Sequence, residues 1–175
     1  SPEAVYAGSQ YLGAGEYDEG GVLVAVDTAS GEKTWDHTEH GDDQETIEAV
    51  KEHNGVVYSL GMNSRFFGNA SIIATDASSG TVLWEKSLPA DRDSLDLDIT
   101  QGVVSTGYAA FDASDGSKVW EIGSRYDIIR DIDGKNGVLY IATTDTGTVA
   151  ALDVDDGSTI WEEQINTESS SENAI

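Results

Sequence analysis

His37 and His40 stand three residues apart with Asp36, Glu39, Asp42 and Asp43 around them, a set of imidazole and carboxylate donors of the kind that holds a divalent cation. The same residues read equally as a solvated acidic stretch, because every loop of this chain is acidic, and no metal is assigned to them. Asp153, Asp155 and Asp156 precede Gly157 like the carboxylates of a calcium loop. Their spacing fails that comparison: Gly157 occupies a position that needs an oxygen donor, and Gln164 stands where the twelfth-position glutamate belongs. A hairpin turn explains them, and Asp131, Asp133 and Gly134 read likewise as a strand end and turn. The third histidine, His53, precedes a turn, and no nucleophile elbow, phosphate loop or acid–base pair stands out. No catalytic, cofactor-binding or metal-binding residue is assigned.

Recognition chemistry is easier to find. Arg65, Phe66 and Phe67 lie in the stretch Met62–Asn69, and arginine beside aromatic rings is a composition enriched in the energetic centres of protein interfaces. The corresponding stretch earlier in the chain carries Tyr11 and Tyr17. Arg65, Phe66, Phe67 and Tyr17 are therefore the candidate partner-binding residues. Asn69-Ala70-Ser71 is formally a glycosylation acceptor.

The elements that must position these residues are set by a repeat. Ala25-Val-Asp27-Thr-Ala-Ser-Gly31-Glu-Lys-Thr-Trp35 returns around Asp76, Gly80 and Trp84, around Asp112, Gly116 and Trp120, and around Asp153, Gly157 and Trp161. The Trp-to-Trp steps are 49, 36 and 41 residues, in the range of propeller blades. Each copy ends one short apolar strand, turns, and begins a strand that finishes on Trp. Asp bonds amides two residues on and so starts the turn, while Gly supplies a positive φ. Burying each indole, at ~200 Å² and ~25 cal/mol per Å², contributes roughly 5 kcal/mol gross.

A weaker repeat precedes each copy. Ala4–Gly8, Gly55–Ser59, Gly102–Ser105 and Gly137–Ala142 read as strands opened by a turn, and before three of them lie the alternating runs Thr46–Val50, Leu95–Ile99 and Ile128–Ile132. The expected fold is all-β: a β-propeller of four-stranded antiparallel blades, about four in this chain. One repeat domain spans 1–165, with blades at about 1–36, 45–87, 93–122 and 126–165, and 166–175 is a polar tail or the first strand of the closing blade. Joined end to start, Asn173-Ala174-Ile175 and Ser1-Pro-Glu-Ala4-Val5-Tyr6-Ala7-Gly8 resemble the run Glu48–Tyr58 of the second blade. Either the tail closes a small ring, or the chain belongs to a ring of seven or eight blades completed by another copy or polypeptide; the second reading is preferred.

The Ala-x-Asp-x-x-x-Gly-x-x-x-Trp phrase resembles the tryptophan-docking repeat of pyrroloquinoline-quinone-type propellers, a superfamily holding quinoprotein alcohol dehydrogenases and non-catalytic relatives. The resemblance implies that Trp35, Trp84, Trp120 and Trp161 are structural, each docking against a neighbouring blade. In the catalytic members it implies a quinone held between a Trp and a disulfide of adjacent cysteines, with a calcium ion beside it. This chain has no cysteine, no Trp outside the repeat, and half the length of the family's eight-bladed ring. The non-catalytic branch is the expectation, with no cofactor: a scaffold or protein-binding platform acting through loops on one face, partnered by other proteins or by a further copy. The alternatives are a segment of a quinone- or metal-dependent oxidoreductase and a structural subunit of a surface assembly.

Charge bounds the surroundings. Asp and Glu number 33 against nine Lys and Arg, a net charge of −24 spread along the chain. Nucleic acid is an unsuitable partner, since it requires a basic footprint, and no apolar run approaches membrane-spanning length. Self-repulsion of this size opposes the compact state, whereas molar salt shortens the Debye length to ~3 Å and screens it. Scattered acids with only five lysines resemble the proteins of extreme halophiles, and an extracellular or cell-surface place in high salt is expected. Thermal melts followed by circular dichroism should therefore show Tm rising steadily between ~0.1 and ~2 M NaCl, by roughly ten degrees or more; a flat or falling Tm refutes the reading.

Overall fold

The computed structural model describes residues 4–9, 21–38, 45–63, 70–88, 96–122, 128–143 and 147–165, and all of their regular structure is β. Strands β1 (Ala4–Ser9), β2 (Val22–Asp27) and β3 (Lys33–Thr38) form a three-stranded antiparallel sheet. Three four-stranded sheets follow, each a meander. The second holds β4 (Glu45–His53), β5 (Val56–Asn63), β6 (Ala70–Asp76) and β7 (Val82–Ser87). The third holds β8 (Asp98–Thr100), β9 (Val103–Ser105), β10 (Ala109–Asp112) and β11 (Lys118–Glu121), and the fourth β12 (Ile129–Lys135), β13 (Val138–Thr143), β14 (Thr148–Asp153) and β15 (Thr159–Gln164). The first sheet matches the last three strands of the others, so β1 corresponds to β5, β9 and β13.

The first hairpin of each four-stranded blade turns on a residue pair with positive φ at both positions: Asn54–Gly55 at 52° and 80°, Gln101–Gly102 at 51° and 77°, Asn136–Gly137 at 52° and 78°. Such two-residue turns match the right-handed twist of the strands they join, and Asn or Gly reaches these angles with least strain.

A register irregularity recurs at one place in all four sheets. Ala25, Ala74, Ala110 and Ala151 pair with Trp35, Trp84, Trp120 and Trp161, but the next residue along skips one position on the outer strand. The extra residues are Thr34, Leu83, Val119 and Ile160. A bulge of this kind bends its strand and re-aims the following side chain. Leu83, Val119 and Ile160 consequently face solvent while Trp84 and Trp120 turn inward. The small Ala directly across the ladder leaves room for the indole.

The core lies between sheets. Tyr58, Leu60, Ile72, Trp84, Leu97, Val104 and Phe111 fill the space between the second and third blades, and Tyr108, Trp120, Ile129, Ile132, Leu139 and Leu152 that between the third and fourth. The alternation of β10 sorts its side chains: Ala109 and Phe111 face one neighbour, Tyr108 and Ala110 the other. Leading strands adjoin in the order β1, β4, β8, β12, giving a fan of blades about one axis. Among the described residues the four sheets do not close into a ring; residues 166–175, read from sequence as a polar tail or the first strand of the closing blade, lie outside them.

The leading strands differ from expectation in two details. Strand β8 begins at Asp98 rather than Leu95, and Asp131, Asp133 and Gly134 lie within β12, the turn falling at Asn136–Gly137. One cause underlies both: Asp96 and Asp98 reach across to the next blade. Asp96 accepts from the Ile132 N–H at 3.2 Å, and Asp98 accepts from the Gly134 N–H and from Lys51 Nζ at 2.9 Å. A Cβ on Gly134 would sit 3.1 Å from Asp98 Oδ2 and 3.0 Å from Thr100 Cγ2, so glycine serves close approach here. Asp98 thus ties three blades together, and Lys51, being partly exposed, adds less than the amide does. Asp98→Ala should cost about 1.5–3 kcal/mol in urea unfolding, and Asp98→Asn, which keeps an acceptor for the amide, clearly less. Equal losses would show that the Gly134 bond is not what counts.

Candidate functional site

Three inter-blade joints share one construction. Trp35 Nε1 donates to the Ala77 carbonyl at 2.9 Å, Trp84 Nε1 to the Ala113 carbonyl at 3.2 Å, and Trp120 Nε1 to the Val154 carbonyl at 2.7 Å. Each acceptor is the residue after the repeat Asp of the next blade. The indole face lies on the repeat Gly of that same turn. A Cβ on Gly80 would be 2.9 Å from Trp35 Cδ2, on Gly116 2.7 Å from Trp84 Cδ2, and on Gly157 2.8 Å from Trp120 Cδ2. The repeat glycine is therefore required twice over, for a φ near +70° and for the absence of any side chain under the ring.

The turn that forms each socket is held by its own Asp. Asp76 Oδ1 accepts from the Ser78 N–H at 3.1 Å and the Ser79 N–H at 2.9 Å, and both serine hydroxyls donate to the same oxygen. Asp27 holds Ala29 and Ser30 in the same way, Asp112 holds Ser114, and Asp153 accepts from the Asp155 N–H at 2.8 Å. Backbone bonds from Gly31, Gly80, Gly116 and Gly157 N–H to the carbonyls of Asp27, Asp76, Asp112 and Asp153 complete the turns. The carboxyls of Asp27, Asp76 and Asp112 consequently fall below the usual carboxylate range, chiefly through the Ser30 N–H, the Ser78 hydroxyl and the Ser114 hydroxyl respectively. Their contribution to stability is present above the unfolded value of about 3.9 and is lost as the pH falls through each depressed folded value.

A tyrosine from the second strand supports two of the joints. Tyr6 Oη donates to the Ala77 carbonyl at 3.5 Å with its ring centroid 5.9 Å from that of Trp35, and Tyr58 Oη donates to the Ala113 carbonyl at 3.0 Å beside Trp84. Burial, then the nearby Glu52 and Asp76 carboxylates, pushes the Tyr6 phenol up, and burial followed by Asp112 does the same to Tyr58. Both stay protonated donors at neutral pH. A groove of about 630 Å³ is lined by Tyr6, Asp27, Thr34, Glu52, Asn54 and Asp76 among others. Its acids and protonated phenol offer a surface for positively charged groups but no poised acid–base pair.

The four repeat indoles are not equally covered. Trp84 and Trp120 are 8% and 7% exposed, but Trp161 is 43% exposed and has its ring 6.1 Å from Tyr140 of its own blade. Gly31 has φ 71°, as the other repeat glycines do, and among the described residues nothing lies within 4 Å of where its Cβ would be.

Arg65, Phe66, Phe67 and Tyr17 lie outside the described residues, as does His40. The ends of β1 and β2, and of β5 and β6, that adjoin these residues in sequence lie opposite the repeat turns. His37 lies on β3 and His53 at the end of β4. Reasoning from sequence missed Asp98, whose carboxylate spans blades, and the second duty of the repeat glycines. The fixed Gly-to-Trp spacing signals a turn within one blade and is silent about which ring lies above it.

Residues 99–174 match a family model described as outer membrane protein assembly factor BamB. Among solved structures the chain resembles BamB from Moraxella catarrhalis at 18% identity and a TM-score of 0.63, over 85% of this chain and 47% of that one. It resembles the computationally designed protein Ika8 at 13% identity and 0.63, over 85% and 46%. It also resembles the quinohemoprotein alcohol dehydrogenase ADHIIG of Pseudomonas putida HK5 at 17% and 0.61, over 82% and 32%. No curated protein matches the chain. The likeness to these solved structures shows the fold, antiparallel blades of the propeller type, and the chain spans under half the length of each of the three.

Because the docked indoles are buried and Trp161 is not, urea unfolding at low protein concentration should separate them. Trp84→Ala and Trp120→Ala should each cost about 3–5 kcal/mol, and Trp161→Ala about 1 kcal/mol or less. Gly116→Ala should cost clearly more than Gly31→Ala, since both meet the left-handed penalty of about 1–2 kcal/mol but only one meets a ring. Similar losses in each pair would contradict the joint described above.

Proposed function

We propose that this chain is a non-enzymatic propeller scaffold, a protein-binding platform that recognises its partner through the connections at the end of the blades opposite the repeat turns. The observation that supports this most directly is where the repeat's polar groups go. The aspartates hold their own turns and the docked indoles bond the next blade, so the recurrent residues serve architecture and recognition falls to the irregular connections. Arg65, Phe66 and Phe67 are the chosen contacts, with Tyr17 on the equivalent connection of the first blade. The match of residues 99–174 to an outer membrane protein assembly factor supports a scaffold role at or beyond the cell surface, and the charge of −24 supports work in concentrated salt. The rival reading, a segment of a quinone-dependent oxidoreductase, draws on the fold shared with the alcohol dehydrogenase.

Two measurements decide between them. Replacing Arg65, Phe66 and Phe67 together by Ala should leave Tm within about one degree while lowering recovery of co-purifying protein at least tenfold; an unchanged profile removes these residues from the interface. Titration with pyrroloquinoline quinone and Ca²⁺ should leave the visible spectrum that of the free quinone. A saturable absorbance change would favour the oxidoreductase.

A further inference from the structure

We propose that Asn136 is a site of spontaneous covalent modification, at which the side-chain amide closes on the Gly137 nitrogen, releases ammonia and leaves an aspartyl or isoaspartyl residue beside the joint between the third and fourth blades. The inference does not depend on what the platform binds.

Asn-Gly and Asp-Gly pairs share this chemistry, because glycine places no side chain beside its nitrogen and the ring that forms has five members. The chain holds two Asn-Gly pairs, at Asn54 and Asn136, and three Asp-Gly pairs, at Asp115, Asp133 and Asp156. In all but one of these the glycine N–H is engaged. Gly55 donates to Glu52 Oε1 at 2.7 Å, Gly116 and Gly157 donate to the Asp112 and Asp153 carbonyls at 2.9 Å each, and Gly134 donates to Asp98 Oδ2. The exception is Gly137, whose N–H has no acceptor among the described residues. The place that Glu52 takes two residues before Asn54 is taken before Asn136 by Gly134, which has no side chain to offer. The carboxamides differ as well. Asn54 Nδ2 donates to His53 Nε2 at 2.8 Å, whereas Asn136 is exposed and its carboxamide bonds no described residue. The two turns are otherwise alike, with φ of 52° at both asparagines and of 80° and 78° at the glycines.

The steps balance with water alone and involve no oxidation. Hydroxide takes the Gly137 amide proton, the nitrogen bonds Asn136 Cγ, and the Cγ–Nδ2 bond breaks as ammonia leaves with a proton from water. A second water opens the ring. Cleavage between Cγ and the nitrogen restores the ordinary chain, and cleavage at the Asn136 backbone carbonyl leaves a chain that runs through Cγ and is one carbon longer. A hydrogen-bonded N–H resists the first step, and at Gly55 the neighbouring carboxylate also opposes negative charge on the nitrogen.

The consequence reaches the blade joint. The Gly137 carbonyl accepts from the Val154 N–H at 3.0 Å, and the Val154 carbonyl accepts from Trp120 Nε1 at 2.7 Å. Gln101 of the third blade lies against the same glycine, with Nε2 2.9 Å from where a Cβ would stand. An extra main-chain carbon in this tight turn displaces the groups that seat Trp120.

The test ages the intact folded chain at physiological temperature and mildly alkaline pH. Peptide mass spectrometry locates conversion, and methylation by an isoaspartyl methyltransferase counts isoaspartate. Asn136 should convert about tenfold or more faster than Asn54, the margin set by one hydrogen bond to a charged group, and its rate should rise with pH. Unfolded in concentrated guanidinium, the two should convert at similar rates. Glu52→Ala frees the Gly55 N–H and should bring Asn54 towards the rate of Asn136. Ageing should lower the Tm of the unaltered chain by about 3 °C or more. It should leave that of Asn136→Gly in place, because glycine keeps the positive φ and has no amide to lose. No conversion at Asn136, equal or faster conversion at Asn54 in the folded chain, or the same ratio in the unfolded chain would overturn the proposal. An Asn54 rate unmoved by Glu52→Ala, or an equal fall in Tm for Asn136→Gly, would overturn it as well.

Discussion

The contact of an indole with a glycine turn on the next sheet is the interaction that the rest of this molecule depends on. A four-stranded meander has two broad faces and no interior of its own, so a lone blade exposes the apolar surface that would have to stabilise it. Trp84 and Trp120 resolve this by crossing the gap, covering Gly116 and Gly157, and bonding the Ala113 and Val154 carbonyls. Each joint couples a large apolar burial to a directional hydrogen bond, so it specifies orientation along with association. The bulge before each Trp, the Ala across the ladder and the Asp-held turn make that contact geometrically possible.

Carboxylates serve two opposed ends. The excess of acids raises the energy of the compact chain in dilute salt, yet particular aspartates are structural because backbone amides surround them. Asp76 and Asp112 organise turns from the surface, and Asp98 replaces missing backbone pairing between neighbouring leading strands. The few cations are placed where they matter: Lys51 bonds Asp98, while Lys33 and Lys118 pair with Asp36 and Glu121 on the outer strands. Negative charge is therefore a cost borne globally and a resource used locally.

Structural likeness extends across an assembly factor, a designed protein and a dehydrogenase at 13–18% identity, so the shared fold does not by itself fix a function. A scaffold whose recurrent residues are consumed by blade packing leaves its connections free to vary, and fold and function separate along that line.

The blades and their strand count were legible in the residues themselves, because a hairpin is a local object. Asp, Gly and Trp at fixed intervals encode a turn and the strand leaving it, period-two alternation marks the faces, and Gly55, Gly102 and Gly137 mark the turns that open the second strands. The candidate contacts Arg65, Phe66 and Phe67 were legible only as composition, since binding geometry is not written in a stretch of chain. Tertiary structure decided what depends on residues far apart in sequence. It showed that Gly80, Gly116 and Gly157 floor the sockets of Trp35, Trp84 and Trp120, that Asp98 joins three blades, and that Trp161 is left 43% exposed. Four equal copies of a phrase carry equal local information; only the presence or absence of a neighbouring sheet makes one indole a buried anchor and another an exposed one.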